Sequence, residues 1–159
     1  MRRLTLIGLC VAAMAGPVSA STAEMESQVL AMINVHRTAA GCQALALNGQ
    51  LQAAAEGHAR AMAVQNFFSH TGKNGSKLKG RVRAAGYTGG RLAENIANGQ
   101  KSAAAVVAAW MGSKGHVRNI MNCAYKDTGI ALVYQADDDP LPGKSYAPRY
   151  YWVQDFGQQ

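Results

Sequence analysis

Three side chains that could share one site are spread over the middle of the chain: His70, Glu94 and His116. Two neutral imidazoles and a carboxylate are a common ligand set for a divalent ion such as Zn²⁺, with one position left for water. Without a metal, the same groups could transfer protons, because histidine titrates near neutral pH. We therefore expect them to converge in one cleft, as metal ligands or as acid–base groups.

Each of these residues also has a structural interpretation. His70 ends the segment FFSH and could cap a helix terminus, and Glu94 in LAENIA could accept backbone N–H groups of a nearby turn. His116 follows Gly115 and could interact with the dipole of a preceding helix. Spacings of 24 and 22 residues match no local catalytic motif, and HExxH and GxSxG are absent from the sequence.

The remaining polar residues near these positions carry weaker signals. His58 lies at the spacing of a helix core face and is expected to be a hydrogen-bonded core histidine, whereas His36 is expected to be partly exposed. Ser69 and Ser113 lie near histidines in sequence, which is poor evidence for a nucleophile. A serine hydrolase is therefore not favoured.

Hydrophobic periodicity and capping residues predict the elements that position the candidate site. Asn48 and Ser102 are expected to cap helices at their N-termini, and Gly41 and Gly86 to end helices. The predicted helices cover residues 25–39, 50–65, 79–85 and 102–112, and the predicted extended segments cover 45–47, 128–134 and 150–156. Helices that precede a small antiparallel sheet indicate a single α+β domain.

The N-terminus has the pattern of a signal peptide over residues 1–20: Arg2-Arg3, an apolar run too short to span a bilayer, and a small-residue cleavage site. We therefore expect a secreted or periplasmic protein whose mature chain is one domain, residues 21–159, without a transmembrane segment. That domain is expected to be a monomer.

The sequence carries a net charge of +7, but its basic residues are scattered apart from one run. That run reaches from Lys73 to Arg83 and is interpreted as a solvated loop with a weak attraction for anionic envelope polymers. Because an exported protein rarely meets nucleic acid, we expect no nucleic-acid partner.

Cys42 and Cys123 form an even pair far apart in sequence, which in an oxidising compartment indicates one disulfide. It would close a loop of about 80 residues and stabilise the fold by roughly 4 kcal/mol on the chain-entropy model. The alternative is a free buried pair. The spacing of cysteines and histidines does not fit a structural zinc site.

The chain resembles the CAP superfamily of cysteine-rich secretory, antigen 5 and pathogenesis-related proteins, and in particular its compact bacterial secreted members. The matching pieces run in order over residues 26–157: NVHR, LALNGQLQAAAEGHARAMA, FFSH, RVRAAGY, AENIA, AAWMGSKGHVRNIM, TGIALVY and YYWVQDFG. The resemblance implies a three-layer α-β-α sandwich in which helices flank a small antiparallel sheet. It also implies a cleft that holds two histidines and acidic residues, which in some relatives binds a divalent cation.

Carried over residue by residue, the family's two histidines match His70 and His116, and its AEN glutamate matches Glu94. A second acidic residue of the family's cleft has no counterpart here, because residues 71–93 contain no Asp or Glu. Four further residues are expected to support the site. Asn95 would hold the turn that aims Glu94, and Arg118 and Asn119 would tie down the segment after His116. Gln154 would face the cleft.

Two functions from different classes follow. The first is a binding module for a small ligand, a lipid, an envelope component or a divalent ion, with Zn²⁺ the preferred cation. The second is a metal-assisted hydrolase that uses His70, Glu94 and His116. The missing second carboxylate and the lack of a clear nucleophile favour the binding module.

Overall fold

The computed structural model describes residues 21–159, so the predicted signal peptide lies outside the described residues. The helices are α1 (Thr22–Ala39), α2 (Gly49–Val64), α3 (Leu78–Ala84), α4 (Ala103–Met111) and α5 (Lys114–Ile120), and the strands are β1 (Ala46–Leu47), β2 (Arg91–Asn98), β3 (Asp127–Tyr134) and β4 (Tyr150–Gln158). Of the helices in this part of the chain, none has both the length and the apolar character needed to cross a membrane.

Short polar side chains start the helices where the sequence predicts. Asn48 Oδ1 accepts hydrogen bonds from the backbone N–H groups of Gln50 and Leu51, which otherwise would have no partner at the start of α2. Ser102 caps α4 in the same way. α1 ends before Gly41, whose φ of 80° is the left-handed conformation that glycine adopts without strain.

The sheet has the strand order β1-β3-β4-β2. β3 and β4 pair antiparallel, as expected, and β2 pairs antiparallel with β4 on its other side. β1 pairs parallel with β3, so the sheet is mixed and not wholly antiparallel. The exception arises because β1 is a two-residue connection between α1 and α2 that happens to run alongside β3.

The sequence interpretation misses two elements, and both carry residues of the candidate site. Residues 94–97 of β2 are all buried, so the strand lacks the alternation of polar and apolar residues by which a half-exposed strand is identified. Asn95 accordingly lies inside β2 and does not hold a turn. α5 has only seven residues, with Gly115 in its first turn, and is too short to display a periodic apolar face.

The expected α-β-α sandwich is confirmed, with α1 and α4 on one face of the sheet and α2 and α3 on the other. The larger core lies on the α1 side, and its fully buried members include Val29, Ile33, Trp110, Trp152 and Phe156. On the opposite face α2 packs its Ala-rich side against β3, as its small residues predict. Gly129 permits this approach, because a Cβ there would collide with the backbone of Leu51 and Gln52.

At both edges of the sheet, side chains form hydrogen bonds with backbone groups that would otherwise lack partners. At the β3 edge, Gln52 exchanges two hydrogen bonds with the backbone of Ile130, at 2.6 and 2.8 Å. At the β2 edge, Trp110 Nε1 donates to the carbonyl of Ile96, and Asn119 Nδ2 donates to the carbonyl of Glu94. The β2 edge is therefore covered by α4 and α5, which brings α5 beside Glu94.

Candidate functional site

His70 lies on the segment that follows α2, and its side chain is 58% exposed. Phe67 anchors this segment in the core, and the His58 ring hydrogen-bonds through Nε2 to the carbonyl of Ser69 at 2.9 Å. His58 is 1% exposed, so the prediction of a satisfied core histidine is confirmed. Burial lowers the pKa of His58, which favours the neutral ring.

Glu94 holds the His70 ring in a defined orientation. Its side chain is 3% exposed, and its Oε1 lies 2.7 Å from His70 Nδ1. A carboxylate only accepts hydrogen bonds, so Nδ1 carries the proton and Nε2 of the neutral ring is left as an acceptor. The arrangement is that of a carboxylate which orients an imidazole.

Arg81 binds the other oxygen of the same carboxylate. Its Nη2 donates to Glu94 Oε2 at 2.6 Å, and its Nη1 donates to the carbonyls of His70 and Ser76 at 3.1 Å each. Its side chain is only 10% exposed, so Arg81 does not belong to a solvated loop, contrary to the interpretation of the basic run. Burial alone would raise the pKa of Glu94, but the hydrogen bond from His70 and the charge of Arg81 outweigh burial and lower it.

Asp155 is a second acidic residue at this site, and the sequence interpretation did not include it. It lies directly across from Glu94 in the β2–β4 pairing and is fully buried. Neither of its carboxyl oxygens has a hydrogen-bond partner within residues 21–159. Burial raises its pKa well above the ordinary value, and the charge of Glu94 raises it further, so the neutral acid is favoured.

His116 lies on α5, which the β2 edge holds in place. Asn95 Nδ2 donates to the His116 carbonyl at 3.3 Å, and Asn119 Nδ2 donates to Asn95 Oδ1 at 2.8 Å. Asn119 thus ties the segment down, as expected. His116 Nδ1 is buried and has no partner in the described part of the chain. Burial lowers the pKa of His116, and the positive charge that His70 carries when protonated lowers it further, so a neutral His116 ring is favoured.

Two of the expected supporting residues, Gln154 and Arg118, form no hydrogen bond with His70, Glu94 or His116 in the described part of the chain. Gln154 is fully buried, and its place opposite Asn95 puts it on the α1 side of the sheet, whereas Glu94 and Asp155 lie on the α2 side. Its Nε2 donates to Thr128 Oγ1. Arg118 is an exposed residue of α5.

Among residues 21–159, the site residues are not grouped as ligands of a divalent ion. Both oxygens of Glu94 are engaged, one by His70 and one by the cation Arg81. Within residues 21–159, no three His, Cys, Asp or Glu side chains are grouped as a cation site would require. Glu94 therefore has the position of a group that orients His70, and binding of Zn²⁺ by His70, Glu94 and His116 stays a prediction.

The arrangement offers two imidazoles beside a buried ion pair. The exposed edge of His70 can accept a hydrogen bond from a ligand, or remove a proton from a bound water or hydroxyl group.

Cys42 and Cys123 form the expected disulfide, with Cα atoms 4.9 Å apart, at the junction between the end of α1 and the segment after α5. The disulfide thus stabilises the body of the domain and takes no part in the cleft.

Comparison with known proteins agrees with this fold. The model of the cysteine-rich secretory protein family matches residues 30–156. The protein YkwD of Bacillus subtilis is 30% identical over 113 residues, which cover 71% of this chain and 44% of that protein. The membrane protein YlbC of the same organism is 31% identical over 107 residues, or 67% of this chain and 31% of that protein. The chain thus spans less than half the length of these relatives.

Solved structures show the same architecture. An extracellular protein of Bacillus anthracis that contains an SCP domain superposes with a TM-score of 0.71 at 23% identity, covering 91% of this chain and 45% of that one. An outer surface protein of Borrelia burgdorferi superposes with a TM-score of 0.76 at 19% identity, covering 88% of this chain and 96% of that one. Together with the family match, these similarities show that the chain belongs to the cysteine-rich secretory protein family, the CAP superfamily.

Proposed function

We propose that this protein is a secreted binding module whose cleft presents the imidazoles of His70 and His116 to a small polar ligand. The observation that carries the proposal is the pair of hydrogen bonds on Glu94, at 2.7 Å from His70 and 2.6 Å from Arg81. They fix the His70 ring with its Nε2 edge free and engage both oxygens of the carboxylate within the protein.

The ligand that suits this cleft is a hydrogen-bond donor. An imidazole with an unprotonated nitrogen accepts hydrogen bonds from hydroxyl or amide N–H groups, which saccharide and peptide components of a cell envelope carry. The nearest charges, on Glu94 and Arg81, neutralise each other, so the cleft has no strong preference for an ion. A polar floor of this kind favours such a ligand over a lipid chain.

Secretion is part of the proposal. The signal-peptide pattern of residues 1–20 and the disulfide between Cys42 and Cys123 both suit an oxidising compartment outside the cytoplasm. The names of two similar structures, an extracellular and an outer surface protein, support the same assignment.

A hydrolase is the second candidate, and the Glu94–His70 hydrogen bond favours it. A carboxylate that orients an imidazole is the usual support of a general base, and His70 could remove a proton from water without any metal. A nucleophilic side chain is not needed for that reaction.

The test is native mass spectrometry of the protein isolated from its own envelope, beside turnover assays on peptide and ester substrates. The variants are His70→Gln and His116→Gln, with the exposed His36→Gln as the matched control. We expect a bound small molecule that is lost in the two cleft variants but retained in His36→Gln, with equal melting temperatures. Turnover abolished by His70→Gln would favour the hydrolase instead. Cleft variants that differ from the control only in melting temperature would contradict both candidates.

A further inference from the structure

A cavity that Arg81 lines lies between α2 and α3 with the loop 72–76. Its volume is about 460 Å³, within the range of ordinary small-ligand sites. Gly57 and Ala61 line it from α2, and Gly80 and Ala84 line it from α3. We call it the α2–α3 groove.

Of the three glycines that line this groove, Gly57 and Gly80 are unexplained by the packing of the protein itself. Gly57 lies in the middle of α2 and Gly80 lies in α3, where glycine weakens a helix relative to alanine. A Cβ on either residue would meet no atom within 4 Å. Gly129, by contrast, is required because a Cβ there would strike α2. Gly57 and Gly80 therefore leave space in the groove that no other part of the described chain fills.

Beside the groove lies a buried hydrogen-bond donor that is unused. Arg81 lines it with a side chain that is nine-tenths buried, and Arg81 Nε has no partner within the described residues. A buried N–H without an acceptor is unfavourable, so a ligand that supplies an acceptor gains binding free energy. Movement of the Arg81 guanidinium towards such an acceptor would bring its Nε within reach.

The charge of the groove selects for an anion. Lys73 is exposed on its rim, no acidic residue lines it, and residues 71–93 contain no Asp or Glu. Gln65, Asn74 and Ser76 add amide and hydroxyl groups that hydrogen-bond a polypeptide backbone. No Phe, Tyr or Trp is among the lining residues, so the groove offers no aromatic face for a sugar ring.

We propose that the α2–α3 groove binds a short, extended, acidic peptide segment. Walls of glycine and alanine admit the close approach of a peptide backbone, Lys73 attracts its carboxylates, and Arg81 Nε–H meets one of its carbonyls. The site is separate from the cleft of His70 and His116 and does not depend on the function proposed for it. The two communicate through Arg81, whose other nitrogens bind Glu94 and the His70 carbonyl.

The test is a titration of the ¹⁵N-labelled protein with an end-blocked hexapeptide of alternating Glu and Ala, followed by amide chemical shifts. We expect shifts in α2, in the loop 72–76 and in α3, and weaker binding of the matching Gln–Ala and Lys–Ala peptides. Gly57→Leu fills the groove and is expected to weaken binding at least about tenfold, which is about 1.4 kcal/mol. Gly49→Leu is the matched control, because Gly49 also lies in α2 with open space around its Cβ but outside the groove.

Gly80→Leu and Lys73→Glu give two further routes, so that the test does not depend on the folding of one variant. Each is expected to weaken binding, and the melting temperature of each verifies the fold. Equal affinity for the Gln–Ala peptide, shifts outside the groove, or affinity unchanged in Gly57→Leu would overturn the proposal. Binding of an oligogalacturonate in place of the peptide would also overturn it and would identify a glycan site. Because this test measures peptide affinity for the α2–α3 groove, a negative result would not contradict the function proposed for the cleft.

Discussion

Two buried arginines, Arg37 and Arg81, have opposite surroundings. Arg37 is fully buried, and its guanidinium donates four hydrogen bonds, all to backbone carbonyls, of Gln43, Ile120, Asn122 and Tyr125. Arg81 is bound to a carboxylate and to two carbonyls, and its Nε has no partner within residues 21–159. Every guanidinium nitrogen of Arg37 therefore has a partner, and Arg37 joins two segments of the fold. Arg81 has a nitrogen without a partner and lines the α2–α3 groove.

The difference shows how the same residue type is used for stability or for a site. The carbonyls around Arg37 belong to the chain on either side of the Cys42–Cys123 disulfide, so this end of the domain is rigid. The partners of Arg81 are an ionisable carboxylate and two carbonyls of the segment between α2 and α3, so its interactions are expected to depend on protonation. Arg37 therefore serves stability and Arg81 serves the site. Substitutions of the two residues are expected to have correspondingly different effects.

Arg37→Met should have the largest effect on stability. It leaves four buried carbonyls without a donor, and we expect a loss of about 4 kcal/mol or more in the free energy of unfolding. Urea denaturation measures it, and Arg37→Lys, which restores part of the hydrogen bonding, should lose less. A loss below about 1 kcal/mol would show that Arg37 is not the tie described here.

Removal of the disulfide should have the second-largest effect on the free energy of unfolding. The double variant Cys42→Ala, Cys123→Ala is expected to lose about 2–4 kcal/mol, because the unfolded chain regains the freedom of a loop of about 80 residues. The comparison is chemical denaturation of this variant and of the wild type, both under non-reducing conditions. Spectra of the His70 and His116 rings should be unchanged, and a change in them would contradict the separation of the two ends.

Arg81→Met should cost less, and its cost should depend on pH. In the wild type the pKa of Glu94 is lowered, so its contribution to stability is present above the unfolded pKa and is lost as pH falls through the folded value. Without Arg81, burial raises this pKa, so the variant loses stability as pH rises above about 4. We expect a loss of about 2–3 kcal/mol at pH 7 and a smaller one near pH 4, from denaturation at both pH values. A loss independent of pH would argue against the Arg81–Glu94 pair.

Asp155→Asn should stabilise the protein at neutral pH. The pKa of Asp155 is raised, so its carboxyl favours folding when protonated, and that contribution is lost as pH rises above the unfolded value of about 4. The amide removes this dependence, and we expect a gain of about 1 kcal/mol or more at pH 7 and none at pH 4. Equal stability changes at the two pH values would show that Asp155 is ionised in the folded protein.

Local sequence signals are enough to predict the helices α1 to α4, the caps at Asn48 and Ser102, and the final hairpin of β3 and β4. Each depends on residues close in sequence. β2 is not recognisable in this way, because its central residues are buried on both faces and show no alternation.

The candidate site shows the same limit. Arg81 is the member of its basic run that reaches Glu94, and nothing in the run distinguishes it from its exposed neighbours before β2 is known. Asp155 lies in an almost apolar strand, directly before Phe156, and that context is the one available signal of a buried acid. Its pairing opposite Glu94 follows only from the strand register.

The central claim is that Glu94 orients His70 and leaves the Nε2 edge of the ring free. Long-range ¹H–¹⁵N spectra of the histidine rings test it most directly, recorded above the pH at which the His70 ring loses its proton. The account predicts that neutral His70 carries its proton on Nδ1, and that Glu94→Ala removes this bias while the His58 ring keeps its proton on Nε2. A neutral His70 protonated on Nε2 in the wild type would contradict the account.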